Sequence, residues 1–215
     1  MLISEKSKLV MIGDSVTDCD RGRPLGEGLF DAIGKSYVGL VSGLLQAGYP
    51  ERKIRVVNMG TSGNTVRNLK DRWYTDVIDL KPDWLSIMIG ANDVWRQFDL
   101  PLIAEQHVYL PEYEETLEEL VSGTLPKLKG MVLMTPFYKE PNRSDAMRAK
   151  MDEYGNVVRK LAQKYNTVFV DTQAAFDEIL KYYYPAALGW DRVHPNIEGH
   201  MVLARVFLKA IGYEW

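Results

Sequence analysis

The sequence predicts a three-layer α/β fold, a parallel sheet with helices on both faces. Five short apolar runs, each flanked by turn residues, recur through the 215 residues. Most of these runs are near-continuously apolar, as strands buried on both faces are. Between them lie longer segments with helical apolar spacing. Alternation of strand and helix calls for crossover connections, and so for parallel pairing.

The first run is KLVMIGD, Lys8–Asp14, and the helical pattern Ser36–Ala47 follows it. IRVVNMG, Ile54–Gly60, is the second run, and helical spacing resumes over Val66–Leu80. The third run, WLSIMIG, spans Trp84–Gly90, and the next helix is expected over Glu112–Thr124. GMVLMTP, Gly130–Pro136, precedes the long helical pattern Asp145–Tyr165. TVFVDT, Thr167–Thr172, is the last strand, with helices over Gln173–Tyr183 and Glu198–Ile211 behind it. Nothing reads as a repeat or an interdomain linker, so residues 1–215 are expected to form a single domain.

Composition narrows the function. The formal net charge is −3, and charged residues make up 26% of the chain. Lysine and arginine are dispersed, which argues against a nucleic-acid footprint. No segment approaches the ~20 apolar residues of a membrane span. The N-terminal apolar run is too short for a signal peptide, and the expectation is a cytoplasmic protein. One cysteine, Cys19, excludes an internal disulfide and a Cys-rich zinc site. Asp18, Asp20 and Asp93 have no histidine at ligand spacing, so no metal is assigned, and no cofactor is expected.

Four long irregular stretches remain: Ser15–Gly34, Ala91–Leu110, Tyr138–Ser144 and Tyr184–Asn196. In an open parallel sheet, ligands bind outside the carboxyl ends of the strands, and loops there carry function. The last stretch contains WDRVHP, with Asp191 three residues before His194. That offset lets the carboxylate reach the imidazole Nδ1–H. The first strand ends in IGDS, placing Ser15 just past the sheet edge. A hydrolytic serine needs a base, a group to orient that base, and donors for the oxyanion. The second strand ends in NMGTSGNT, where the Gly63 amide can approach a ligand. The third ends in IGAND, where Asn92 offers an NH₂ donor.

Each piece also has a plainer use. Asp14 or Ser15 could cap a turn, Asn92–Asp93 could cap a helix, and Asp191–His194 could be a surface pair. Their joint occurrence at strand ends expected to converge favours a site. The nucleophile-elbow pattern G-x-S-x-G is absent, which counts against the α/β-hydrolase fold.

GDS at Gly13–Ser15, SGNT at Ser62–Thr65, GAND at Gly90–Asp93 and DRVHP at Asp191–Pro195 resemble the four blocks of SGNH (GDSL-type) esterases and lipases. Val16 stands where the family name has leucine. The resemblance implies a flavodoxin-like five-stranded sheet of order 2-1-3-4-5. It also implies Ser15 as nucleophile, His194 as base and Asp191 as its orienter. The oxyanion donors would be the Ser15 and Gly63 amides and the Asn92 side chain. Longer stretches, among them KPDWLSIMIGANDVWRQFDLP, FVDTQAAF and YYYPAALGWDRVHP, look like bacterial intracellular acetyl xylan esterases of this superfamily. The activity implied is deacetylation of xylo-oligosaccharides. A thioesterase, a lysophospholipase or a general short-chain carboxylesterase is the alternative.

Trp95 and Arg96 follow the Asn92 block and could hold a sugar ring and its hydroxyls; Trp95 could equally fill the core. Trp190 closes the aromatic stretch KYYYPAALGW, Lys181–Trp190. These aromatics could stack on sugar, pack a subunit interface or cover the core. The expectation is a homo-oligomer with Tyr184 and Trp190 near the interface.

Overall fold

The computed structural model describes residues 1–215. Five strands, β1 (Lys8–Gly13), β2 (Arg55–Gly60), β3 (Trp84–Met88), β4 (Gly130–Met134) and β5 (Val168–Val170), form one sheet of order β2-β1-β3-β4-β5. Every pairing is parallel. The expected strands, topology and layering are all present.

Alternate residues of each strand enter different cores, as the period of two requires. Val10 and Ile12 of β1 join Val57, Leu85 and Leu133 in one apolar cluster. Leu9 and Met11 join Val56, Val132 and Val170 in the other. The helices α1 (Ser15–Asp18), α2 (Tyr37–Gly48), α3 (Val66–Asp71), α4 (Ala91–Asp99), α5 (Leu110–Thr124), α6 (Ala146–Tyr165), α7 (Thr172–Ile179) and α8 (Ile197–Ala210) divide between the two faces. Buried residues of α3, α5 and α6 fill the first cluster, and those of α2 and α8 fill the second.

Side-chain caps set several helix starts. Ser36, Thr65, Asp145, Asp171 and Asn196 each accept a backbone N–H from the first turn. Each such cap stabilises by about 1 kcal/mol. No helix is long and apolar enough to cross a membrane.

Several boundaries differ from expectation; Ser15–Gly34, expected to be irregular, opens with the short α1. The pattern over Val66–Leu80 breaks at Arg72, and a wider turn continues over Tyr74–Ile78. At the break, the Arg72 guanidinium reaches the carbonyls of Gly13 and Met59 at the sheet edge. The helix expected to reach Tyr183 stops at Ile179. Tyr182 and Tyr183 are exposed, so no packing rewards another turn. The stretch Ala91–Leu110, expected to be irregular, opens with α4. Its first turn buries Ala91, Asn92, Asp93 and Val94, so polar residues share the inward face with apolar ones.

Candidate active site

The sheet register brings three of the four sequence blocks to one edge. Gly13 pairs with Gly60 on one side and with Met88 on the other. The chain therefore leaves β1, β2 and β3 at the same height. Ser15 opens α1, Gly63 lies in the turn before α3, and Asn92 sits in the first turn of α4. Asp191 and His194 reach the same place on the loop between α7 and α8.

Ser15 Oγ lies 2.9 Å from His194 Nε2. His194 Nδ1 lies 2.7 Å from Asp191 Oδ2. The other carboxylate oxygen of Asp191 accepts the backbone N–H groups of Val193 at 2.7 Å and His194 at 2.5 Å. The three-residue offset thus builds a closed turn in which one carboxylate fixes both the ring and its backbone. Burial alone would raise the Asp191 carboxyl. The hydrogen bonds from His194 and Val193 outweigh it and hold the carboxyl below its usual range. An ionised Asp191 keeps the proton on Nδ1 and leaves Nε2 to accept from Ser15.

Asp14 caps α1 by accepting the Val16 N–H at 3.0 Å. The plainer reading of Asp14 is therefore correct, and it leaves Ser15 free. Neither the Ser15 amide nor the Gly63 amide donates to another protein group. Gly63 has φ +80°, and a Cβ on it would meet open space. Glycine is required there by backbone conformation, not by crowding.

The Asn92 side chain is fixed at both ends. Its Nδ2 donates to the Asn64 carbonyl at 3.0 Å, and its Oδ1 accepts from Arg96 at 3.2 Å. One N–H is left over. Asp93 does not cap α4; it accepts the Val66 N–H at 2.9 Å and ties α4 to α3. Burial pushes the Asp93 carboxyl up to about 7 and that of Asp14 up to about 6. Burial thus disfavours the charge of both carboxyl groups that border the serine and Gly63 turns.

Both tryptophans border the imidazole. The Trp95 ring is 5.7 Å from that of His194 in an edge contact, and the Trp190 ring is 6.4 Å away and nearly parallel. Trp95 is half-buried against the core, so it both packs and borders the site. Trp190 is 88% exposed, and Tyr184 is 78% exposed. These two do not cover the core. Arg96 stacks over Trp95 and pairs with Asp99. A groove of about 400 Å³ starts at Gly63 and runs past Arg96 and Gln106 with no apolar side chain in its lining.

Residues 11–202 match the GDSL-like Lipase/Acylhydrolase family. The chain belongs to this family. Among relatives of this GDSL-like chain, an acetylxylan esterase of Geobacillus stearothermophilus is 64% identical over 215 residues, covering 100% of this chain and 98% of its own. The crystal structure of that enzyme, Axe2, superposes with a TM-score of 0.99, again covering 100% and 98% of the two chains. Solved catalytic mutants of Axe2 include S15A, D191A and H194A. Ser, Asp and His stand at the same numbers in this chain. LAE5, an alpha/beta hydrolase enzyme from the metagenome of Lake Arreo, is 55% identical with a TM-score of 0.97, covering 99% of this chain and 98% of its own.

Two cations beside the site of this GDSL-like fold, half-buried Arg72 and buried Lys139, escaped the sequence reading. Arg72 donates to the Gly13, Met59 and Asn64 oxygens at 2.9, 2.7 and 2.6 Å, tying the serine turn to the Gly63 turn. Lys139 is fully buried against the loop that carries Asp191 and His194. Nothing in the spacing of either residue separates it from an ordinary surface cation. Asp18 also gains a use, accepting the Ser62 N–H and hydroxyl at 2.9 Å each.

Proposed function

We propose that this chain is a serine esterase that removes acetyl groups from xylo-oligosaccharides through an acyl-enzyme. The observation that carries the reading is the relay from Ser15 Oγ to His194 Nε2 at 2.9 Å and from His194 Nδ1 to Asp191 Oδ2 at 2.7 Å. Ser15 Oγ attacks the acetyl carbonyl while His194 Nε2 takes its proton. Asp191 holds the ring and stabilises the imidazolium. The oxyanion is met by the Ser15 and Gly63 amides and the remaining Asn92 N–H. His194 then returns the proton to the departing sugar hydroxyl. Water enters, loses a proton to His194 and releases acetate from Ser15.

The acetylxylan esterase activity of the Geobacillus relative supports this substrate. So does the polar groove beside Gly63, because its lining offers hydrogen bonds to hydroxyls and no apolar wall for a long acyl chain. The edge of Trp95 and the exposed face of Trp190 suit a sugar ring. We read the chain as one catalytic domain, since the same sheet edge supplies all but the His194 loop. The aromatic surface formed by Tyr182, Tyr184 and Trp190 fits a homo-oligomer. A cytoplasmic setting fits a fold with one free cysteine.

The test is a chain-length series of p-nitrophenyl esters followed by acetylated xylo-oligosaccharides, with wild type and Ser15→Ala side by side. Turnover should favour acetyl and fall by on the order of 10⁴ or more in the variant. A tenth of wild-type kcat surviving in Ser15→Ala would remove the nucleophile. A preference for long acyl chains would remove the substrate.

A further inference from the structure

Lys139 lies on the segment after β4 and is 0% exposed. Its ammonium donates to the Leu188 carbonyl at 3.0 Å and to the His194 carbonyl at 2.6 Å. Its own backbone N–H donates to the Arg192 carbonyl at 2.8 Å. One residue thus makes three bonds to a loop that is otherwise largely at the surface. The loop makes room for it: a Cβ on Gly189 would collide with the Lys139 ammonium and the His194 carbonyl.

Burying an ammonium costs more than burying a neutral group, so the charge calls for an explanation. Burial pushes the Lys139 ammonium down to about 8, and the Asp191 carboxylate offsets part of that cost. The loop has no β partner and no helix between Leu188 and Ile197. The Leu188 carbonyl accepts the Asn196 N–H at 2.9 Å from within the loop, whereas the Arg192 and His194 carbonyls take their donors from Lys139. Asp191 satisfies the N–H groups on one side of the turn. Lys139 satisfies the carbonyls on the other.

We propose that Lys139 is a positioning residue that sets the His194 imidazole within reach of Ser15 by clamping the Leu188 and His194 carbonyls. The proposal rests on reading Ser15, Asp191 and His194 as the catalytic relay. Lys139 touches neither substrate nor reacting atoms. It acts through the backbone of His194, whose ring direction follows from where that carbonyl is held.

Lys139→Met keeps the aliphatic stem and removes the donors. With p-nitrophenyl acetate as substrate, kcat should fall by about 10²-fold, the scale of a misplacement near 1 Å, while KM stays within about twofold. The second readout is the far-downfield proton resonance of the Asp191–His194 hydrogen bond. It should broaden or vanish in the folded variant. Lys139→Gln, which keeps one amide donor, should recover part of kcat and of the resonance. A folded Lys139→Met with kcat within threefold of wild type and an unchanged resonance overturns the proposal. So does a loss confined to KM. If neither variant folds, Lys139 serves the fold and the positioning assignment fails. Ser15→Ala measured alongside separates the two layers: activity there would remove the relay itself, whereas an inactive Ser15→Ala beside an active Lys139→Met removes only the clamp.

Discussion

Asn92→Ala tests the oxyanion half of the site apart from the relay. In the native site the Asn92 amide spends one N–H on the Asn64 carbonyl, and Arg96 on its Oδ1 fixes which way the amide faces. A single pre-aimed donor is therefore lost on truncation. A donor that meets charge developing only in the transition state is worth roughly 2.7–4 kcal/mol. That corresponds to a fall in kcat of about 10²–10³, with KM moving far less. The truncation also strands the Asn64 carbonyl, a separate cost of about 1–3 kcal/mol in stability. Steady-state kinetics on a small acetyl ester measure the first effect, and denaturant unfolding measures the second. Binding of a boronic acid that forms a tetrahedral anion on Ser15 should weaken in parallel with kcat. A rise in KM with kcat unmoved would make Asn92 a ground-state contact and defeat the reasoning.

Asp191→Asn keeps an oxygen for the Val193 and His194 amides but loses the carboxylate that holds the Nδ1 proton; kcat should drop by about 10⁴, and a drop under tenfold in a folded variant would contradict the relay. Replacing Tyr184 and Trp190 together should shift the protein to a smaller species in sedimentation velocity, and a wild type that is monomeric at micromolar concentration would refute the interface. His200 is pushed down to about 4, chiefly by burial and then by the charges of Lys139 and His194, and its Nδ1 accepts the Tyr37 N–H. The unfolded chain protonates first, so stability is full above about pH 6.5 and declines as pH falls toward 4, by about 3 kcal/mol at the limit. His200→Gln should flatten that decline in urea unfolding at pH 7 and 4.5; an equal pH dependence in both proteins would exclude His200 as its source.

Much of the site is legible in the sequence because its parts sit at strand ends. A buried parallel strand announces itself as an apolar run, and the residues just beyond it fall on the ligand-binding edge. Ser15, Gly63 and Asn92 were legible for that reason. Asp191 and His194 were legible from local spacing, since a three-residue turn suffices to join them. Lys139 and Arg72 were not. Each acts by donating to carbonyls supplied by distant segments, and a carbonyl leaves no mark on sequence. Helix α4 was obscured for a related reason. It spans only nine residues, and its inward Asn92 and Asp93 are committed to the neighbouring turn and to α3, partners that lie far away in sequence.

The two halves of the site are held by different means. The serine and oxyanion turns grow directly out of β1, β2 and β3 and are laced together by Arg72, Asp93 and Asn64. That lacing crosses strands whose register is set by two buried faces, so a shift of any one turn would disturb the sheet. The base stands on a loop with no strand beneath it and needs its own anchor. Such a division follows from the chemistry. The oxyanion donors must not move while charge develops, because their value lies in being already aimed. In an ester-cleaving relay the imidazole must first face the serine hydroxyl and then the departing alcohol oxygen. A loop tied at its carbonyls and at its amides, with its outer face open, allows that small change of partner without releasing the carboxylate. Truncating a lacing residue such as Arg72 should therefore lower both stability and kcat. Loosening the loop at Lys139 should lower kcat well before it lowers stability. Comparing the ratio of these two losses in the two variants, by kinetics and by unfolding, tests the division directly; equal ratios would mean that the site is held as one block.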